Sequence, residues 1–456
     1  MIKVITYGTY DLLHYGHLRL LERAKKLGDY LIVGITSDSY DQNRGKINVQ
    51  QTLAERIAAV KATGLADQII VEEYEGQKID DIKRYGVDIF TVGSDWEGKF
   101  DYLNDYCKVI YLDRTEGISS TKIRSENNEI SMGLVCHASI SDFMNRFYAE
   151  DKFVNGIVIE GICINNINNI NNINNINNIN NFSDSIKKLK IITNDYEELL
   201  KHVKSVYINT PVEEHYNQIK LALENHVHVL CDSPICENVE QYEELLKIAK
   251  DKNLVLMDAI RTAYSTAYSR LLLLVKSGNI GKVLSVDTTC TNMKNLAEKG
   301  HADSFLDWGP NAMLPIFQIL GTDYENYDIT TVLNTNKEDI FTKIDFKYKN
   351  AVASIKVAEG AKSEGELIVT GTEGYIYVPA PWWLTDYFEI RRENFDNNKR
   401  YFYQLDGEGI RFELLAFTRA ISDNKKKNFY IDENISKEIC NMVEKYKKNE
   451  KFITFE

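Results

Sequence analysis

The chain predicts an α/β protein: a parallel-sheet domain, a second strand-and-helix domain, and an α+β domain with a largely antiparallel open sheet. Three observations predict it. Short apolar strands alternate with helical segments over the first 125 residues, a rhythm that builds parallel sheets with helices on their faces. The same βαβ spacing returns between residues 204 and 258. Beyond residue 280 the texture changes to strands separated by turns, which pair as hairpins and meanders.

The elements follow in order. Strands are expected at 2–7, 30–36, 68–72, 88–92 and 108–112, and helices at 17–27, 53–63 and 76–85. A parallel sheet places its ligand at the carboxyl ends of its strands. His14, Asp95 and Arg114 all follow predicted strands, so they should converge on one edge. The second part opens with a strand from Met132 to Ala138. Lys204–Pro211 then reads as a strand ending in a Pro turn, followed by a helix at 214–225 and a strand at 227–231. A turn with Pro234, a helix at 238–252 and a strand at 254–258 complete it. The third part carries strands at 282–290, 329–334, 340–348, 351–358, 365–370, 374–378, 387–392 and 401–405.

Length and charge bound the function. At 456 residues the chain should hold two to four domains. A formal charge of −13 excludes a nucleic-acid-binding surface as the main business, so any cationic phosphate site must be local. There is no 18-residue apolar run and no signal-peptide pattern, so a cytoplasmic protein with no membrane partner is expected. Seven cysteines are odd in number, and Cys231 and Cys236 do not form a CxxC pair. Reduced, mostly buried thiols and no cysteine metal site follow.

His14-Tyr15-Gly16-His17 is the densest chemical motif. It sits where the first strand runs through a Gly turn into a helix, a place where free backbone N–H groups and the helix dipole favour an anion. Gly16 lets a ligand approach the backbone closely. Further along, Gly93–Asp101 and Arg114–Ile123 follow two later strands, and Arg44-Gly45-Lys46 lies between.

On these blocks the first 125 residues resemble the glycerol-3-phosphate cytidylyltransferases of the HxGH nucleotidyltransferase superfamily. The family usually carries an Asp where this chain has Ser94. The resemblance implies CTP-dependent transfer to a small phosphorylated alcohol, with Mg2+ accompanying CTP. Nucleotidyl transfer needs in-line attack on the α-phosphorus and no covalent intermediate, so positioning and charge stabilisation supply the rate. His14 and His17 would donate to the phosphate oxygens, and Lys46 and Arg114 would supply fixed positive charge. The resemblance further gives CTP contacts to Thr9, Tyr10, Tyr15 and Gly16. Arg114, Thr115, Glu116, Gly117, Ile118, Ser119, Ser120 and Thr121 would line the CTP site, and Arg44 and Lys78 would meet the acceptor's phosphate. Plainer roles stay open for some: Arg44 and Lys78 as solvated charges, Ser119 to Thr121 as a helix cap, Asp95 and Trp96 as a strand end.

Residues 131–456 resemble the Gfo/Idh/MocA oxidoreductases, a dinucleotide fold followed by an open sheet. Thr210–Tyr216, His228–Pro234, Gly371–Pro379 and Pro381-Trp382-Trp383 carry that resemblance. Three departures accompany it. The turn expected to hold Gly-x-Gly-x-x-Gly reads Ser139-Ile140-Ser141-Asp142-Phe143-Met144, with Asp142 where a pyrophosphate would lie. Ser233 replaces the catalytic lysine that the resemblance implies. Asn311 follows Asp307-Trp308-Gly309 in a supposed active-site turn where Tyr or His is usual. His215 would lie near a nicotinamide or simply pack a turn. Residues 164–181 are six copies of Ile-Asn-Asn, a period that suits neither helix nor strand, and read as a low-complexity insertion or an Asn ladder.

The domains expected are 1–128, a cytidylyltransferase; 129–262, Rossmann-like with the insertion at 164–181; and 263–456, a Gfo/Idh/MocA-type α+β domain. The function expected is glycerol 3-phosphate activation to CDP-glycerol with release of pyrophosphate, beside a degenerate oxidoreductase-like region whose use of NAD(P) is in doubt. The alternative is a bifunctional enzyme that also oxidises or reduces a polyol or sugar. Relatives of both halves imply a homo-oligomer, and a role in cell-envelope synthesis follows by analogy.

Overall fold

The computed structural model describes residues 1–455 except 12, 14, 44–48, 50, 75, 114–128, 138–139, 155, 166–180, 294–302, 404, 423–427 and 429. The chain divides into two compact units, Met1–Glu129 and Ile130–Glu456.

In the first unit β1 (Lys3–Gly8), β2 (Tyr30–Thr36), β3 (Gln68–Glu72), β4 (Ile89–Gly93) and β5 (Lys108–Leu112) form a parallel sheet in the order β3-β2-β1-β4-β5. Alternate residues of its central strands enter two separate cores. Val4, Leu31 and Val33 pack with Leu21 and Val60 on one face, while Ile5, Ile32 and Phe90 pack with Ile82 and Leu103 on the other. Burial on both faces explains why these strands read as almost unbroken apolar runs. Helices Tyr15–Lys25, Leu53–Ala62 and Gln77–Tyr85 lie close to the expected positions. Thr52 starts the second of these with a capping box to Glu55.

The second unit holds two sheets, and the expected domains 129–262 and 263–456 both lie within it. β6 (Ile130–His137), β7 (Ile157–Asn165), β8 (Ile191–Thr193), β9 (Ser205–Asn209), β10 (His228–Cys231) and β11 (Leu256–Asp258) are parallel, in the order β11-β10-β9-β6-β7-β8. The order reverses between β6 and β9, which opens a crevice at their carboxyl ends. The second sheet is made of β12 (Val283–Thr291), β13 (Asn326–Leu333), β14 (Asp339–Lys347), β15 (Val352–Ala358), β16 (Leu367–Gly371), β17 (Gly374–Val378), β18 (Tyr387–Arg391), β19 (Lys399–Phe402) and β20 (Phe452–Thr454). It is mostly antiparallel, with parallel pairs at β12–β15 and β13–β20.

One expectation is corrected. Asp307-Trp308-Gly309-Pro310-Asn311 is not a turn but part of helix Ser304–Leu320, which packs on β12, β14 and β15. Pro310 and Pro315 interrupt its hydrogen-bond ladder. Burial of Phe305, Met313, Leu314, Ile316 and Phe317 holds it together regardless.

Candidate functional sites

At the carboxyl end of β1 the chain runs through Gly8, Thr9, Tyr10 and Asp11 toward helix Tyr15–Lys25. Tyr10 is buried and holds a left-handed backbone with φ 54°, an arrangement that costs free energy in a non-glycine residue. Its ring meets the His17 imidazole edge-on, with centroids 5.5 Å apart. Gly8 makes that possible, because a Cβ there would lie 3.0 Å from the Tyr10 ring. The helix that follows has no acidic residue in its first turn and Arg23 and Lys25 in its last. With no carboxylate in that first turn, the dipole at its amino end favours a phosphate.

The loop is fastened from beneath by a residue that motif reasoning missed. Arg56 is fully buried and donates to the carbonyls of Thr9 at 2.8 Å, Thr36 at 2.9 Å and Gln51 at 3.2 Å. It also pairs with Asp38 and, at 3.5 Å, with Asp41. Thr9 Oγ1 donates to Asp41 at 3.0 Å, and the Gln51 N–H to Asp11 at 2.9 Å. The sequence did carry a trace of it. Arg56 stands on the same helical stripe as Leu53, Ile57 and Val60, which all face the core.

Lys78 is a buried residue of helix Gln77–Tyr85 and not a solvated surface charge. It pairs with buried Glu72, and its ammonium lies 4.7 Å from the Tyr7 ring centre and 5.5 Å from that of Phe100. Beside it, Asp81 accepts from the Tyr7 hydroxyl at 2.9 Å and from Gln77 at 3.0 Å. Burial, then Asp81, pushes the Tyr7 phenol well above its ordinary value. Trp96 packs against Phe100 in the core, and the backbone of Asp95 forms the short 3-10 turn Ser94–Trp96 after β4.

Thr9, Tyr10, Gly16, His17 and Lys78 are thus placed in this unit, and Tyr15 by its backbone alone. His14, Arg44, Lys46, Arg114, Thr115, Glu116, Gly117, Ile118, Ser119, Ser120 and Thr121 lie outside the described residues.

In the second unit the strand ends are lined by acids. His137 closes β6 and meets Glu214 at 3.0 Å; Gln218 donates to Glu214, and Thr210 to Gln218. His215 is a turn-packing residue: its buried ring bridges the carbonyls of Thr210 and Pro234, and burial lowers its pKa. Asp232 accepts from Asn209 at 3.1 Å, and burial lifts its carboxyl to about 7. The Ser233 hydroxyl is buried beside the Asp258 carboxyl. Arg261 stacks on Phe143 at 5.0 Å and pairs with Glu408 at 3.6 Å. Glu413, from helix Ile410–Ser422, is fully buried with neither oxygen hydrogen-bonded, and burial lifts it to about 8.

Helix Ser141–Asp151 begins without a side-chain cap, so its first N–H groups suit a dinucleotide's diphosphate. Exposed Asp142 in the first turn opposes that group's charge. Among the described residues no cluster of His, Cys, Asp and Glu is arranged to hold a metal ion. Nor is any described helix long and apolar enough to cross a membrane.

Comparison with known proteins assigns the two regions. The cytidylyltransferase-like family model matches residues 5–126, and that of the oxidoreductase family with an NAD-binding Rossmann fold matches residues 137–259. Glycerol-3-phosphate cytidylyltransferase of Staphylococcus aureus is 51% identical over 126 residues, 28% of this chain and 95% of that protein. The Bacillus subtilis enzyme of the same name is 50% identical over 126 residues, 28% of this chain and 97% of its own. Among solved structures, a 3-ketoreductase from Actinomadura kijaniata in complex with NADP and TDP-benzene superposes with a TM-score of 0.61 at 15% identity, covering 72% of this chain and all of that one. A UDP-N-acetylglucosamine 3-dehydrogenase from Acidithiobacillus ferrooxidans gives 0.56 at 13% identity, covering 69% of this chain and 95% of that one. At such identities the likeness establishes the fold of the second unit. The expectation of a degenerate region with NAD(P) in doubt is corrected: the Rossmann segment still matches the model of an NAD-binding family despite its lost glycines.

Proposed function

Through its N-terminal unit the chain belongs to the cytidylyltransferase-like family, and from that premise we propose that it makes CDP-glycerol from CTP and glycerol 3-phosphate. An oxygen of the acceptor's phosphate attacks the α-phosphorus of CTP. The bond from that phosphorus to the bridging oxygen of the β-phosphate breaks, and pyrophosphate leaves. The observation that carries this is identity near one half across almost the full length of two glycerol-3-phosphate cytidylyltransferases. The geometry supports it: His17 stands in the first turn of helix Tyr15–Lys25, beside a loop held by Arg56. In this reading His14 and His17 donate to phosphate oxygens, and Lys46 and Arg114 offset charge on the leaving group. Thr9, Tyr10 and residues 114–121 hold CTP, and Arg44 and Lys78 face the acceptor.

Purified protein with CTP, Mg2+ and sn-glycerol 3-phosphate should release pyrophosphate. A panel of phosphorylated polyols and amino alcohols then ranks acceptors, and no turnover with any of them overturns the proposal. Assembly as a homo-oligomer belongs to the same reading and is tested by light scattering.

A second reading, NAD(P)-dependent oxidation or reduction of a sugar or polyol by the second unit, is favoured by the family match over residues 137–259 and by the crevice at β6 and β9. Bound NAD(P) would supply hydride chemistry. With Ser233 at the lysine position, the near-neutral carboxyl of Asp232 is the group here suited to hold a substrate proton. Titration with NADPH, followed by fluorescence, tests it; no binding at millimolar concentration removes it.

A further inference from the structure

At the carboxyl edge of the first sheet, the edge from which Thr9 follows β1, four segments close around one ammonium. Glu72 is the last residue of β3, and Tyr7 stands next to the end of β1. Phe100 follows β4 and its 3-10 turn, and Lys78 is the second residue of helix Gln77–Tyr85. Lys78 pairs with Glu72, and its Nζ lies 4.7 Å from the Tyr7 ring centre and 5.5 Å from that of Phe100. The Tyr7 hydroxyl donates to Asp81 at 2.9 Å, and the Gln77 amide donates to the same oxygen at 3.0 Å. Gly34, the register partner of Tyr7 on β2, leaves room for the ring, because a Cβ there would collide with it.

This arrangement suits a lysine that must meet a phosphate. A lysine stem has much rotamer freedom to lose, and holding it in advance lowers the cost of binding. Aromatic faces hold an ammonium without cancelling its charge, as a second carboxylate would. Asp81 stands three residues after Lys78, a spacing at which a helix pairs opposite charges. Its Oδ2 takes the Tyr7 hydroxyl and the Gln77 amide instead. Tyr7 therefore acts twice: its ring seats the ammonium, and its hydroxyl occupies the acid that would compete for it.

Resting on the cytidylyl-transfer reading above, in which Lys78 faces the acceptor, we propose that Tyr7 is the residue that positions Lys78 for the acceptor's phosphate. It acts through Lys78 and not by contact with a substrate. CTP is held in that reading by other residues, so the effect of Tyr7 falls on the acceptor alone.

The test is steady-state kinetics of the full chain with CTP, Mg2+ and sn-glycerol 3-phosphate, each substrate varied in turn. Tyr7→Leu removes the ring and should lower kcat/KM for glycerol 3-phosphate about tenfold. The KM for CTP should stay within about twofold of the wild type. Tyr7→Phe keeps the ring and releases Asp81, so its loss should be only about two- to threefold. Asp81→Asn added to Tyr7→Phe should recover that loss. Unchanged kcat/KM for glycerol 3-phosphate in Tyr7→Leu overturns the proposal. So does an equal rise in the KM for CTP, which would mean general damage to β1. If Tyr7→Leu does not fold, the phenylalanine variants decide: no loss in Tyr7→Phe, or a loss that Asp81→Asn fails to recover, overturns it. No turnover by the wild type overturns the cytidylyl-transfer reading and this inference with it, whereas the other failures leave that reading standing.

Discussion

The two units bury charge in opposite ways. In the first, Arg56 lies among Asp38 and Asp41, Lys78 lies against Glu72, and Asp81 takes hydrogen bonds from Tyr7 and Gln77. In the second, Glu413 is buried with no hydrogen-bond partner and Asp258 with only the Ser233 and Ser436 hydroxyls beside it, and burial lifts them to about 8 and about 6. Opposed charges fix one another's geometry, whereas carboxyls without a cation escape burial by keeping their protons. The first unit is thus built to hold its β1 loop rigidly in place. The second stores carboxyls that change charge near neutrality, as a site that handles protons requires.

The largest effect should come from the site itself. His17→Ala is expected to cut pyrophosphate release by about 10²–10³-fold, the cost of losing one transition-state donor. The thermal transition of the second unit should stay in place. Retained activity would break the comparison, because the first unit would then not be organised around this helix start.

Next is Arg56→Met, which strips the guanidinium from Asp38 and Asp41 and three donors from backbone carbonyls. Breaking a buried pair from one side costs about 3–5 kcal/mol. Calorimetry should show the transition of the first unit falling by roughly 10 °C, with transfer reduced because Thr9 loses its anchor. Arg56→Lys should recover little of it, since an ammonium cannot reproduce the planar fork.

A third test turns on pH. Glu413 has a folded pKa of about 8 against an ordinary 4.5, so between those values the folded state binds more protons than the unfolded. Stability of the second unit therefore falls as pH rises from about 5 to about 8, and is fully present only below that window. The loss should be on the order of 1–3 kcal/mol, and Glu413→Gln should flatten it. An unchanged slope in Glu413→Gln would mean that another group carries the titration.

These contrasts were unevenly legible in the sequence. The strands of the first unit stood out because both faces of the sheet are buried, and the His-x-Gly-His motif marks a helix start from local spacing alone. Helix Asp38–Asn43 was missed because Asp-Ser-Tyr-Asp-Gln-Asn has no apolar period; long-range contacts of Asp38 and Asp41 to Arg56 hold it. Helix Ser304–Leu320 was hidden by its two prolines. The acids of the second unit could not be grouped from sequence, since Asp232, Asp258 and Glu413 come together only through the fold. Glu413 did leave a trace, as a lone charge beside Leu414-Leu415-Ala416-Phe417 in a helix whose residues are mostly buried.

The smallest effect separates redundancy from dependence. Thr9→Val keeps the shape of the side chain and removes the donor that Asp41 accepts at 3.0 Å, while the guanidinium of Arg56 stays in place. A carboxylate that keeps its cation loses only one hydrogen bond, worth about 1 kcal/mol. The Thr9 carbonyl is still held by Arg56 at 2.8 Å, so the loop should keep its course. The KM for CTP should rise only severalfold with kcat nearly unchanged, and Thr9→Ser should match the wild type. A loss as deep as that of Arg56→Met would show that the hydroxyl, and not the buried guanidinium, sets the loop.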